Sequence, residues 1–308
     1  MFSKLVPGPL VRFFARPYVA GDSIQAALDV ADEIRREKQL LTTFDLLGED
    51  VDTEEKVAAN VEVYEQLIQR VADDTRLRVG EYQPTVSLKP SGFTAKDQDD
   101  VRERLAHLVR FAHERQVGVT IDMEDRDWTD ITIEVATALY REGLDVGTVL
   151  QTRLHRTEAD LEKIPEGMRV RIVIGIYPEP ADVAITDKNA MKERLLAYAK
   201  VLLDQGCFVE FGTHDEAFIE RFAREVAPAA PDRCEVQMLL GVPRDEIIGK
   251  LTSGELGVTL PVRLYVPFAV GWSDATAYLR RRMDESPSMI WLVLRNIAAR
   301  RRENAQSK

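Results

Sequence analysis

Cysteine is nearly absent from this chain of 308 residues: there are two, Cys207 and Cys234, far apart in the sequence. With no CxxC pair there is no redox motif and no zinc-type cluster, and such usage fits a reducing compartment. Histidine is almost as scarce, at four. His107 and His113 fall in a helical pattern as surface residues, and His155 and His214 are too isolated to suggest a metal centre. Positive charge is in deficit, with 41 Lys and Arg against 52 Asp and Glu, a net charge of −11 and a pI near 5.1. That balance argues against nucleic acid as a partner but leaves small anionic ligands open, because they respond to a local field. No apolar run approaches the ~20 residues of a membrane span. Neither GxGxxG nor GxxxxGK followed by Ser or Thr occurs, so neither a Rossmann dinucleotide site nor a P-loop is indicated. Pro7 and Pro9 break any signal-peptide core in the first residues.

The chain does have an alternation of short β-type runs and helical patterns. Leu40–Leu47, Thr85–Lys89, Val117–Met123, Gly147–Thr152, Arg169–Tyr177, Cys207–Thr213, Cys234–Leu240 and Val262–Pro267 read as strands. Asp22–Lys38 reads as an amphipathic helix before the first of them. Glu54–Ala72, Lys96–Arg115, Ile131–Glu142, Glu158–Ile164, Lys188–Asp204, Glu216–Val226 and Arg244–Leu251 read as helices between them. Eight strand–helix units without a break in composition predict a distorted (β/α)8 TIM barrel with an N-terminal helical arm, a doubly wound open sheet being the alternative. One domain over residues 1–308 is expected, with 1–39 as arm and helix. Phe13 and Phe14 beside Arg12 and Arg16 leave two readings of the arm: it lies on a membrane surface, or it packs across one end of the domain.

Inside the strands, one face is apolar, for example Val86 and Leu88, Val119 and Ile121, Val170 and Ile172, Val209 and Phe211. The opposite face must line the barrel. It carries Asp45, Ser87, Lys89, Thr120, Asp122, Glu124, Gln151, Arg153, Arg171, Glu210, Gln237, Arg263 and Tyr265. An ordinary barrel is filled with Val, Ile and Leu. Unpaired buried charge is unfavourable by several kcal/mol, so this set implies an internal salt-bridge network or a ligand. Chemistry in this fold sits at the C-terminal ends of the strands, where Lys89, Asp122, Gln151, Tyr177, Thr213, His214 and Tyr265 fall, with Arg171 deeper. Lys89 alone would also allow a Schiff-base enzyme of the aldolase type, and a non-catalytic amino-acid-binding module is a third reading.

Ser273–Glu285 follows the last strand and reads as a helix capped by Ser273 or Asp274. Tyr278, Arg281, Arg282 and Glu285 share one face at i, i+3, i+4 and i+7. Two adjacent guanidiniums suit a carboxylate or phosphate, although a solvated basic helix end has the same composition. A last helix is expected over Ser288–Arg302.

YLRRRMDE, together with FDLLGE, SLK, TIDME, VLQTRL, RIVIGIY, FGTHD, EVQMLLG and RLYVPF, resembles the strand and helix motifs of the proline dehydrogenases, including that domain of the bifunctional proline utilization A proteins. The likeness runs through nearly the whole chain, and the length is similar to the monofunctional bacterial form. It implies oxidation of L-proline to Δ1-pyrroline-5-carboxylate by non-covalent FAD, with hydride passing to flavin N5, electrons to a quinone and a cytoplasmic location. It implies that Lys89, Arg281 and Arg282 clamp the substrate carboxylate, and that Tyr177, Tyr265 and Tyr278 shape the ring pocket. Asp122 and Glu285 would hold these groups in place, Gln151 and Arg171 would contact the isoalloxazine, and Thr213, His214 and Gln237 would belong to the FAD site. Lys89, Asp122, Arg171 and Tyr265 are thus the candidate catalytic residues. Two departures stand out: Ile174 and Ile176 replace the family's usual Lys and Ala, and Asp215 its usual Asn. Alternation along the fifth strand predicts that Ile174 and Ile176 point outward.

Overall fold

The computed structural model describes residues 17–49, 51–80, 82–95 and 98–271. Eight parallel strands close into a barrel in sequence order: β1 Leu41–Leu46, β2 Thr85–Leu88, β3 Val119–Ile121, β4 Val146–Gln151, β5 Arg169–Val173, β6 Phe208–Gly212, β7 Cys234–Leu239 and β8 Val262–Phe268. β8 returns to β1, with Leu41 opposite Arg263 and Leu46 opposite Phe268. Strand lengths run from three residues in β3 to seven in β8, so the barrel is uneven around its rim. Outside it lie α1 Ile24–Lys38, α2 Glu54–Asp73, α3 Gln98–His113, α4 Thr129–Arg141, α5 Thr157–Leu161, α6 Lys188–Asp204, α7 Glu216–Arg221 and α8 Asp245–Ser253. The closed sheet settles the choice against the open one.

The expected faces are the observed ones. Val86, Val119, Val170, Ile172, Val209, Phe211 and Val236 are fully buried between strands and helices. They meet the apolar stripes of the helices, such as Leu67, Ile68 and Val71 of α2 and Leu195, Ala199 and Leu202 of α6. Side-chain caps start these helices: Ser23 accepts from the Ala26 N–H, Thr53 from Lys56, Asp187 from Ala190 and Asp215 from Phe218. Asp215 therefore does at α7 what an Asn would do equally well. The helix predicted from Asp22 begins at Ile24, after its cap at Ser23. The single helix expected over Glu216–Val226 is α7 followed by a wider π-type turn, Phe222–Val226, whose Phe222 ring stacks on Phe211 of β6 at 4.1 Å.

Strand ends differ most from expectation. β5 stops at Val173, short of the predicted Tyr177, because Gly175 takes φ +99° and breaks the pleat. Alternation therefore does not extend to Ile174 and Ile176. Ile174 packs on the core, but Ile176 is 63% exposed, so its expected outward burial does not hold.

Residues 17–22 of the arm cross the C-terminal end of the barrel. Ala20 N donates to the Pro267 carbonyl, Ala269 N to Gly21 and Gly271 N to Asp22. This part of the arm packs on the domain; the stretch with Phe13 and Phe14, and the two helices expected over Ser273–Glu285 and Ser288–Arg302, lie outside the described residues.

Candidate active site

The strands aim their second set of side chains down the barrel axis, and there the charges pair. At the C-terminal mouth Lys89, the residue after β2, donates to Asp45 of β1 and lies 3.3 Å from Glu49 Oε1 and 3.3 Å from the Tyr265 hydroxyl. Tyr265 of β8 donates in turn to Asp122 Oδ2 at 2.6 Å. The other Asp122 oxygen takes Arg171 Nη1 at 2.5 Å. Arg171 Nη2 reaches Ser87 Oγ at 3.2 Å, its Nε donates to Gln237 Oε1, and its guanidinium stands 5.2 Å from the Tyr265 ring centre. Lys89, Asp122, Arg171, Gln237 and Tyr265, contributed by three strands and by the residues just past the ends of two others, therefore form one hydrogen-bonded group.

Burial disfavours a charged Lys89, but Asp45, Tyr265, Glu49 and Asp122 outweigh it and hold the ammonium well above the usual lysine range. A Schiff-base lysine must spend time as a free amine, and these surroundings oppose that. Burial lifts the Asp45 carboxyl to about 7, against the pull of Lys89. Burial, then Asp122 and Asp45, keep Tyr265 a neutral hydroxyl far beyond its ordinary range.

A second group stands beside the first. Gln151, at the end of β4, donates from Nε2 to the Glu124 carbonyl at 2.7 Å. The Glu124 carboxyl is buried and accepts from Ser91 N at 2.7 Å and Ser91 Oγ at 2.5 Å. Burial outweighs those bonds and raises it to about 7. Arg153 donates from Nη1 to the Tyr177 carbonyl, while its buried Nε has no partner among the described residues. Thr213 Oγ1 accepts from Asp215 N. His214 Nε2 accepts from Leu239 N at 2.9 Å, and burial and then Arg244 push it down to about 4. It is thus a neutral ring at pH 7, with its remaining proton on Nδ1. Tyr177 is half-buried above β5. Tyr278, Arg281, Arg282 and Glu285 lie outside the described residues.

Below the mouth the network continues. Gln237 Nε2 donates to Glu235 at 2.6 Å, and Arg263 forks onto the same carboxylate at 2.7 and 3.0 Å. Arg169 donates to Glu210 at 2.9 Å. At the N-terminal end Arg169, Asp145, Glu235 and Arg263 line a cavity of about 310 Å³. Arg169 and Glu235 are not among the lining residues expected from the sequence. Both stand two residues before lining residues that are, Arg171 and Gln237, so the period of a strand is the signal that finds them.

The fold and this mouth define a (β/α)8-barrel enzyme with a polar, charge-paired interior. The family model for proline dehydrogenase matches residues 27–289. Proline dehydrogenase 1 of Bacillus subtilis (strain 168) is 30% identical over 296 residues, covering 93% of this chain and 91% of its own. Proline dehydrogenase of Deinococcus radiodurans is 31% identical over 282 residues, covering 89% and 86%. Among solved structures, proline utilization A from Bdellovibrio bacteriovorus, inactivated by N-propargylglycine, superposes with a TM-score of 0.73 at 22% identity. That match covers 89% of this chain and 32% of the longer bifunctional one, and it shows the shared barrel. The chain belongs to the proline dehydrogenase family of enzymes.

Proposed function

We propose that this enzyme oxidises L-proline to Δ1-pyrroline-5-carboxylate using non-covalent FAD and passes the electrons to a quinone. The observation that carries this reading is the Lys89–Tyr265–Asp122–Arg171 group at the C-terminal mouth of a chain of this family. The donor set here suits a cofactor rich in oxygen acceptors. Gln151 and Arg153 pack together over Gly175, where a Cβ would collide with Gln151 Oε1 and sit 2.9 Å from Arg153 Cδ. Arg153 keeps a buried N–H with no partner among the described residues. Gln151, Arg171, Thr213, His214 and Gln237 would hold the cofactor, whose bound form supplies the hydride acceptor at N5.

The chain's own groups then have defined tasks. Lys89 presents an ammonium for the substrate carboxylate, joined by Arg281 and Arg282. Tyr265 is fixed at both ends of its hydroxyl, by Lys89 and Asp122, so its ring is a rigid wall for the pyrrolidine, with Tyr177 and Tyr278 as further walls and Glu285 steadying the arginines. Orientation of this kind supplies much of the rate in a reaction that needs no nucleophile. Arg171 places a cation where negative charge grows during reduction. In this reading the enzyme works in the cytoplasm, and the Met1–Ala20 arm, with Phe13 and Phe14 beside Arg12 and Arg16, is a candidate contact with the inner face of the membrane, where the quinone is found.

The test is a visible spectrum of the purified protein before and after anaerobic L-proline. Flavin bands that bleach, with FAD released on denaturation, are expected. A protein that is colourless and stays inactive after reconstitution with FAD would sink the reading.

A further inference from the structure

Among the described residues, the guanidiniums of Arg169, Arg171 and Arg263 lie in the barrel interior among the carboxylates of Asp122, Glu210 and Glu235. Two of these carboxylates are fully engaged: Asp122 serves Arg171 and Tyr265, and Glu235 serves Arg263 and Gln237. Glu210, in the middle of β6 and 2% exposed, differs. Its Oε1 accepts from Arg169 at 2.9 Å. Its Oε2 is buried, has no hydrogen-bond partner among the described residues, and lies 3.6 Å from Arg171 Nε. That N–H has two acceptors within reach and uses Gln237.

We infer that Glu210 is a positioning residue that anchors Arg171 from below and offsets part of the charge Arg171 presents to the cofactor site. The inference rests on the proposed reading that Arg171 faces the flavin. Glu210 is suited to both tasks. If Gln237 turns its oxygen towards a bound cofactor, Arg171 Nε can pass to Glu210 Oε2 and remain satisfied, so the guanidinium keeps its place on Asp122. Burial favours the neutral acid, yet Arg169, Arg171 and Arg263 hold Glu210 below the usual carboxylate range, so it stays an anion at working pH. A buried anion this close to Arg171 weakens the field that favours the reduced ring. Without it, the site would prefer reduced over oxidised flavin more strongly.

Glu210→Gln keeps the shape and the contact to Arg169 but removes the charge. Its FAD-loaded form should favour reduced over oxidised flavin about tenfold more than wild type, a midpoint potential about 30 mV more positive at 29.6 mV per factor of ten. Glu210→Asp withdraws the charge by one methylene and should shift the same way by less, which keeps the inference testable if the Gln variant folds poorly. Wild-type potentials in both variants, or an Asp shift as large as the Gln shift, would overturn it. KM for L-proline should stay within about twofold of wild type, because Lys89 is untouched; a rise in KM without a shift in potential would leave Glu210 a structural residue and overturn the inference too. Arg171→Met separates the two claims. If it lowers the potential while the Glu210 variants do nothing, only the present inference fails; if it leaves the potential unchanged, the placement of Arg171 by the flavin fails.

Discussion

Lys89 stands between Asp45, Glu49 and the Tyr265 hydroxyl, and its side chain is only 11% exposed. Those partners fix both its charge and its direction. A carboxylate arriving from the mouth would meet a pre-aimed ammonium, a charge-assisted hydrogen bond contributing about 1.5–3 kcal/mol. Lys89→Met should therefore raise KM for L-proline about tenfold to a hundredfold, with FAD content unchanged. A normal KM would remove Lys89 from the clamp, and loss of FAD would move it to the cofactor. Glu124 gives a second test, in stability. Its ordinary pKa of 4.5 becomes about 7 on folding. Below pH 4.5 both states hold the proton; between 4.5 and 7 only the folded state does. Its contribution to stability is thus greatest below 4.5 and is lost as pH rises through 7. At about 1.4 kcal/mol per unit, wild-type apoprotein should lose about 3 kcal/mol relative to Glu124→Gln over that window. Urea unfolding of both proteins across the range measures the difference, and parallel curves would refute it.

At the scale of elements, Asn60 on α2 shows how an outer helix reaches the site. Its Nδ2 donates to the Gly48 carbonyl at 2.8 Å and the Gly92 carbonyl at 2.9 Å. It thereby joins the loop after β1, which carries Glu49, to the turn after Lys89. A Cβ on Gly92 would sit 3.1 Å from the Gly48 carbonyl, so the loops approach closely. Asn60→Ala should lower stability by about 1–3 kcal/mol and raise KM more than it lowers kcat. Equal stability by thermal unfolding would mean that water replaces the amide. Such a link is not legible in the sequence, because the three segments are distant and Asn60 lies in a helix pattern that looks ordinary. Strand existence and facing were legible, because a period of two along Val86–Lys89 or Val119–Glu124 needs no partner to be read. Strand ends were not, because they depend on the neighbouring strand and on single residues such as Gly175. The polar lining was legible as a set, but its pairing was not: Arg171 finds Ser87 on β2, Gln237 on β7 and Asp122 just past β3.

At the scale of the molecule, hydrogen bonds run along the barrel axis from Lys89 at the C-terminal mouth through Tyr265, Asp122, Arg171, Gln237 and Glu235 to Arg263. Of the two readings the charged set allowed, a ligand or a salt-bridge network, the network is present among the described residues, and its upper members pair with one another as its lower ones do. In this architecture the N-terminal face serves stability, so the Arg263–Glu235 fork should matter for folding more than for turnover. Both side chains are buried, at 7% and 2% exposure. Removing one partner of such a pair strands a charge and is destabilising by about 3–5 kcal/mol, whereas an apolar pair of similar volume is often neutral. Arg263→Met should fall in that range in urea unfolding. Arg263→Met combined with Glu235→Leu should recover most of the loss, short of two hydrogen bonds: the one Gln237 gave to Glu235 and the one Arg263 gave to the Thr42 carbonyl. kcat for L-proline in the double variant should stay within a few-fold of wild type, since Arg171 keeps Asp122, Ser87 and the Gln237 oxygen. A double variant as unstable as the single one would show that the fork contributes packing rather than charge balance. A collapse of kcat with FAD still bound would show that the lower half of the axis takes part in positioning Arg171.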